Sequence, residues 1–390
     1  MRLISGIVWI GFFFQMNGQS QALHWNKILT ATPALKTVYL DSAQVQLQII
    51  VDVLEPSHDG GRTRFSFRDY PTEYFYPASL VKLPTAIFAC ERLNEISAQV
   101  DMHTPLQILA KAPCQKSLFE DPFTNDCKPT LAAFIRKSLT ISDNAAYSRL
   151  FEWVTPEYYE KRFAALKLPF AAIRVKFDGC TVDEARCSPS FKFFKDDTLL
   201  YSRDEQCYNL PYTPPLPDMR VSNLKKEDKV ATLTSKDFSL HNCLPLGDVH
   251  ELLIALCKPE YTALDLKITQ IQREWLISSM QQPPAILHDS WKQDQRFHDH
   301  FYNFLVYGNS PQNHINGLKI TNIVGLAYGY AAESAMIEDE EGTTIFISAK
   351  LYYNYYETKK SGNSSFTAIA MPFMLDLGNE IYRWVKATKK

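Results

Sequence analysis

The sequence predicts an α/β (α+β) fold, with an antiparallel sheet made from both chain ends, flanking helices and an inserted helical subdomain. Three observations support this prediction. Apolar and polar residues alternate before residue 70, apolar residues recur at helical spacing through the middle, and alternation returns after residue 315. We therefore expect one domain over 23–390, with a sheet subdomain at 30–78 and 312–390 and a helical subdomain at 79–311.

Residues 1–22 have the pattern of a secretory signal peptide. One Arg precedes a short apolar run from Leu3 to Phe14, and small and polar residues follow it. This run is shorter than the roughly 20 apolar residues that a membrane span needs. We therefore expect an exported protein, periplasmic or extracellular, that meets a membrane only if the segment stays uncleaved. The net charge of −2 provides no basic field for nucleic acid.

Two strands are predicted before the first long helix. Apolar residues alternate with polar ones over Gln44–Val53, which predicts one buried face and one polar face that carries Gln48 and Asp52. A turn follows, and the sequence alternates again over Arg62–Arg68. The two segments are therefore expected to form a β-hairpin.

The middle of the chain predicts helices, and the last 75 residues predict strands. An irregular insertion is expected at 188–245, which is rich in Pro, Asp, Lys and Ser. Three strands and a closing helix, "FTAIAMPFMLDLGNEIYRWVK", follow residue 314. Helices are predicted at 79–95, on both sides of a break within 130–154, at 246–257 and at 269–280.

The chain contains eight cysteines, all after the predicted signal peptide. Export permits disulfides, and the pairs Cys114/Cys127 and Cys180/Cys187 are favoured because both lie in loop-like polar segments. Sequence alone does not fix the pairing. Cys90 falls within an apolar helical pattern and is expected to be a buried thiol.

The segment "ASLVK" contains the first chemical motif. A serine hydroxyl needs a nearby base to become a nucleophile, and residues three apart on a helix share a face, so Lys82 can reach Ser79. The positive end of the helix would favour an oxyanion and help to keep Lys82 neutral. Alone, the pattern is weak, because an ordinary capped helix produces it as well.

A second motif, Ser142-Asp143-Asn144, follows in the predicted break between two helices. Ser-x-x-Lys followed by Ser-Asp-Asn is the ordered signature of class A β-lactamases and penicillin-binding proteins. A second hydroxyl can relay a proton to a leaving group, and an amide can hold the acyl-amide of a substrate. Taken alone, Ser-Asp-Asn also fits a helix N-cap.

With their flanking segments, "FYPASLVKLPTAIFACERL" and "ISDNAAYSRLFEWV", these motifs resemble the serine β-lactamase / penicillin-binding-protein-like superfamily. A branch of secreted lactamase-like serine hydrolases is the closer match, and its likeness extends through "VGLAYGYAAESAMIED". The resemblance implies an acyl-enzyme on Ser79, with Lys82 as base and Ser142 as proton shuttle. It further implies substrate contacts from Asn144 and from the third motif at Val324 and Gly325, and it requires no cofactor or metal.

The third motif departs from the family pattern of Lys-Thr-Gly or Lys-Val-Gly. Ile323 stands where the lysine belongs, and isoleucine offers neither a charge for a substrate carboxylate nor a partner for the shuttle serine. Lys319 shares the strand face of Ile323 but lies about 13 Å away, so it could substitute only through a bulge or a shifted register. For deacylation, Glu184 is a weak candidate base, and a solvated loop charge is the more common explanation.

Three hypotheses follow, and the most remote of them is a structural exported protein in which the motifs are only helix caps. The first is an active exported serine hydrolase that acts on a β-lactam, a cell-wall peptide or a related amide or ester. The second is a binding protein on the same fold whose catalytic cycle is impaired, which Ile323 favours. In either case the expected partner is a small-molecule or peptidoglycan-like substrate.

Overall fold

The computed structural model describes residues 25–54, 61–96, 99–209, 211–227, 230–288, 298, 300–357 and 365–388. The predicted signal peptide lies outside these residues. Within them, no helix is both long enough and apolar enough to cross a membrane.

A five-stranded antiparallel sheet combines the two ends of the chain, in the order β10-β11-β12-β1-β2. The predicted hairpin and the three predicted C-terminal strands are all present. Strand β1 pairs with β12, which joins the N-terminal and C-terminal parts. The strands are β1 Gln48–Leu54, β2 Arg62–Phe67, β10 Leu318–Ala327, β11 Tyr330–Asp339 and β12 Thr344–Tyr352.

Helices cover both faces of this sheet. One apolar core joins α1 and α9 to one face of the sheet, and a second core joins α2, α3, α4, α6 and α7 to the other face. The sheet therefore separates the two cores. The helices are α1 Pro33–Leu40, α2 Lys82–Asn94, α3 Leu131–Thr140, α4 Asn144–Val154, α5 Pro156–Ala165, α6 Leu246–Cys257, α7 Gln270–Gln281, α8 Asn354–Glu357 and α9 Met371–Thr388.

The prediction that the first strand has one buried face and one polar face is wrong. The strand begins at Gln48, and every one of its residues is buried. Asp52 is fully buried because it accepts hydrogen bonds from Arg64 on β2 and pairs with His250 of α6 at 2.9 Å. Polar residues on this face thus find partners instead of water.

The prediction of an irregular insertion at 188–245 is wrong. The segment forms short strands in small antiparallel sheets, one of which also includes β3. Its Pro and Asp residues lie mainly in the connections between strands. These strands are β3 Leu106–Leu109, β4 Cys187–Ser188, β5 Ser190–Lys195, β6 Thr198–Arg203, β7 Gln206–Cys207, β8 Arg220–Glu227 and β9 Val230–Asp237.

The two disulfide pairings that the sequence favoured are also wrong. Cys114 bonds to Cys180, and Cys187 bonds to Cys207. The strand pair β4–β7 places Cys187 directly opposite Cys207, while Cys127 is exposed with a free thiol. Proximity in the fold sets the pairing, and proximity along the chain does not. Cys90 is a buried free thiol, as predicted.

Candidate active site

Ser79 lies at the start of a buried helical run. A 3₁₀ turn, Ala78–Val81, leads directly into α2. Ala78 has a φ of 47°, in the left-handed region that is unfavourable for a residue with a Cβ. Leu80 and Val81 are fully buried, which fixes the turn, while Ser79 remains partly accessible. The Leu80 N–H donates to the Pro77 carbonyl oxygen at 3.0 Å, and the N–H groups that begin a helical run have no acceptor within the run itself.

Lys82 is one turn further along and has a fully buried side chain. Its Nζ lies 2.9 Å from Ser79 Oγ, 2.8 Å from Ser142 Oγ and 2.8 Å from Asn144 Oδ1. It also lies 2.5 Å from the Ser142 carbonyl oxygen. Burial lowers the pKa of Lys82 to about 7, against the opposing influence of the Asp143 carboxylate. A substantial neutral fraction is therefore available near neutral pH.

The loop between α3 and α4 brings Ser142 and Asn144 to this lysine. Asp143 caps α4 by accepting a hydrogen bond from the Ala146 N–H at 2.6 Å. Ser142 has a φ of 54°, which turns its backbone carbonyl and its hydroxyl toward Lys82. Asn144 is otherwise exposed, so its amide can meet a bound substrate.

Gly325 brings the edge strand β10 to the nucleophile. A Cβ at this position would meet the Pro77 carbonyl oxygen at 2.6 Å, so only glycine permits the approach. The structure thus brings five of the predicted site residues together: Ser79, Lys82, Ser142, Asn144 and Gly325.

Residues 31–199, less than half of the chain, match the Beta-lactamase enzyme family. A variant of the TLA-1 extended-spectrum β-lactamase is 11% identical and has a TM-score of 0.53, with 93% of this chain and 99% of that one covered. A β-lactamase from Desulfarculus baarsii is 12% identical, with a TM-score of 0.51 and coverage of 94% and 97%.

The chain has the fold of the β-lactamases, and its segment 31–199 is similar to the β-lactamase enzyme family. The solved structures show the shared fold over almost the whole chain, and the family match covers the segment that contains Ser79 and Ser142. No curated protein sequence matches the chain significantly.

The segment that resembles the third β-lactamase motif lies on β10, and Ile323 stands where the lysine of that motif would be. Ile323 is 3% exposed and Val324 is 5% exposed. The pairing of β10 with β11 is regular from Leu318 to Ala327. Lys319 therefore stays four residues from Ile323 and exposed, because the strand has neither the bulge nor the shifted register that a substitution would need.

Glu184, the candidate deacylating base, bonds within its own turn. Its carboxylate accepts from the N–H of Thr181 at 2.7 Å and from the Thr181 hydroxyl at 2.8 Å. These hydrogen bonds lower its pKa, which makes it a weaker base. The structure therefore offers no support for the catalytic role.

Phe177 is a site residue that the sequence did not reveal. Its ring centroid lies 5.8 Å from Lys82 Nζ and 4.5 Å from the Tyr147 ring. The buried Lys176, paired with Glu152 at 2.5 Å, and the Ser148 hydroxyl, which accepts from the Phe177 N–H, hold the loop. Burial lowers the pKa of Lys82, while the face of an aromatic ring attracts its charged form. The sequence "VKFDG" contains no motif that would predict this.

Proposed function

We propose that the protein is an exported serine hydrolase that forms an acyl-enzyme on Ser79 with a β-lactam, a cell-wall peptide or a related amide or ester. The observation that supports this most strongly is the position of Lys82, whose Nζ lies within hydrogen-bond distance of both Ser79 Oγ and Ser142 Oγ. A pKa of about 7 suits a general base near neutral pH.

In the acylation step, Ser79 Oγ attacks the scissile carbonyl carbon and Lys82 takes the hydroxyl proton. The N–H groups at the start of the helix stabilise the negative charge that forms on the carbonyl oxygen. The bond from carbon to the leaving atom then breaks, and Ser142 passes the proton from Lys82 to that atom. Asn144 holds the acyl side of the substrate. The products are an ester on Ser79 and the protonated leaving group.

In the second step, water attacks the Ser79 ester and releases a carboxylic acid. The Glu184 carboxylate is held by hydrogen bonds from Thr181, and the residue beside Lys82 is Phe177, which has no group that accepts a proton. Neither residue therefore serves as a deacylating base. We therefore propose that Lys82 serves as the base again and that the acyl-enzyme is long-lived. On this account the protein binds β-lactams covalently and turns them over slowly.

The alternative is a catalytically impaired binding protein on the same fold. Ile323 favours it, since no lysine stands at the third motif. The two functions differ in the need for Ser79. Covalent labelling requires the Ser79 hydroxyl, while reversible binding survives its removal.

The test is labelling with a fluorescent penicillin, followed by denaturing electrophoresis. We expect a fluorescent band for the wild type, none for Ser79→Ala, and an unchanged band for Ser202→Ala, which alters an exposed serine on β6. Binding of the penicillin that is lost on denaturation, and equal for Ser79→Ala, would favour the binding protein.

A further inference from the structure

A cavity of about 410 Å³ follows β10 from Leu318 to Val324, and Ser142 lines it together with Ile323. Because Gly325 contacts Pro77 beside the nucleophile, the end of the cavity near Val324 is the catalytic end. Under the proposed function, Ser142 protonates the leaving group. The cavity therefore lies where the leaving group departs.

Two acceptor atoms of residues that line this cavity have no donor among the described residues. The side chain of Asn303 is 7% exposed, and its Oδ1 is buried. The Oε1 atom of Gln282 is buried as well, and neither oxygen has a hydrogen-bond partner among the described residues. A buried acceptor without a donor costs about 1–3 kcal/mol. A ligand with N–H groups, such as a peptide backbone, would remove this cost.

The segment that carries Asn303 is held firmly against the strand. The Asn322 amide donates to the Tyr302 carbonyl oxygen at 2.8 Å, and the Asn303 carbonyl accepts from the Asn309 N–H. The acceptors therefore belong to an ordered wall, which suits recognition of a defined ligand.

The charge of the cavity favours an anion. None of the described residues that line it is acidic, and Lys319 is cationic. Lys319 is exposed and forms no ion pair with any residue in the described ranges. Its cross-strand neighbour Glu338 pairs with Lys258 instead, at 2.8 Å. Lys319 thus remains available for a carboxylate at the far end of the cavity.

We propose that this cavity is a leaving-group subsite and that it takes a carboxylate-terminated peptide. The distance from Ile323 to Lys319 along the strand is about 13 Å. After allowance for the reach of the lysine side chain, an extended peptide covers it with about two to four residues. The preferred leaving group is thus a short peptide, and a single amino acid would leave Lys319 unused. This inference rests on the proposed function.

The test measures equilibrium binding to the Ser79→Ala variant by isothermal titration calorimetry, so that no chemistry is needed. The probes are N-acetyl tri-alanine with a free carboxylate, the same peptide as a carboxamide, and N-acetyl alanine. We expect the tripeptide acid to bind more tightly than either of the others, on the order of ten-fold.

Three variants in the Ser79→Ala background locate the site. Lys319→Met should remove the preference for the acid, and Asn303→Leu should weaken both tripeptides. Gln282→Leu provides a second acceptor variant if Asn303→Leu does not fold, as judged by thermal unfolding. Lys195→Met, which removes an exposed lysine of β5, should change nothing.

Equal binding of acid and carboxamide, or an unchanged preference in Lys319→Met, would overturn the subsite. Penicillin labelling of Ser79 without tripeptide binding would refute the subsite and leave the proposed function intact. Tripeptide binding without acylation of Ser79 would refute the proposed function and leave a peptide-binding subsite in this cavity.

Discussion

Gly325 lies directly against the backbone of Pro77. A Cβ at position 325 would stand 2.6 Å from the Pro77 carbonyl oxygen and 3.0 Å from Leu80 Cγ. Because Pro77 precedes the turn that contains Ser79, this contact sets the spacing between the edge strand and the nucleophile. The site therefore depends on the absence of a side chain at Gly325.

Gly325→Ala should push β10 away from Ser79. We expect a stability loss of about 1–3 kcal/mol from overpacking, measured by urea unfolding. The rate of Ser79 labelling should fall by about ten-fold or more, because small displacements of catalytic groups are costly. Gly247→Ala is the matched control, since a Cβ there meets only ordinary contacts at 3.8 Å or more. Equal behaviour of the two variants would contradict the account.

Acylation should depend on pH through Lys82. Burial lowers the pKa of Lys82 to about 7, and only the neutral amine accepts the Ser79 proton. The acylation rate should therefore rise with pH and level off above about 7. Lys82→Arg should reduce the rate by about 10²–10⁴, because a guanidinium keeps its proton. Lys195→Arg serves as the control, and a flat profile in the wild type would exclude Lys82 as the base.

Ile323→Lys should restore a cation at the third motif. Ile323 is buried and lines the same cavity as Ser142, so a lysine there would attract a substrate carboxylate. We expect faster acylation by carboxylate-bearing substrates, and Ile323→Met controls for the change in shape. Unchanged rates in Ile323→Lys would show that the third motif is misplaced.

Asp52→Asn should destabilise the sheet. Burial raises the pKa of Asp52, but the hydrogen bonds from His250 and Arg64 overcome this and lower it to about 2. The stability that Asp52 contributes is therefore present above its unfolded value and is lost as the pH falls from about 4 to about 2. Removing the charge should cost about 3–5 kcal/mol near neutral pH. Urea unfolding measures the loss of stability, and Asp126→Asn, at an exposed position, is the control. Equal losses in the two variants would refute the stabilising role of Asp52.

Peptide mapping without reduction should find Cys114 joined to Cys180 and Cys187 joined to Cys207. Cys180→Ser should lower stability by about 2–5 kcal/mol. Cys127→Ser should change it by less than about 0.5 kcal/mol, because Cys127 is exposed and unbonded. A fragment that joins Cys114 to Cys127 would contradict the structure.

Local rules were sufficient for much of the fold and for the motif residues. Helical spacing alone places Lys82 beside Ser79, and strand alternation predicts the hairpin and the β10–β12 meander. Ser142 and Asn144 lie 60 residues or more from Lys82 along the chain. Their contact with Lys82 could therefore be predicted only from the order of the two motifs.

The features that the sequence missed depend on distant partners. Asp52 is buried because His250, 198 positions away, meets it. Phe177 reaches Lys82 only through the loop that Lys176 and Glu152 hold. Alternation reports which residues share a face, but it does not report whether a helix will later cover that face.

The central claim is that Ser79 becomes acylated, and the mass of the intact protein tests it most directly. After incubation with a penicillin or an activated ester, we expect a mass increase of one acyl group, located on the peptide that contains Ser79 and absent from Ser79→Ala. No adduct with either reagent, or an adduct that persists in Ser79→Ala, would contradict the account.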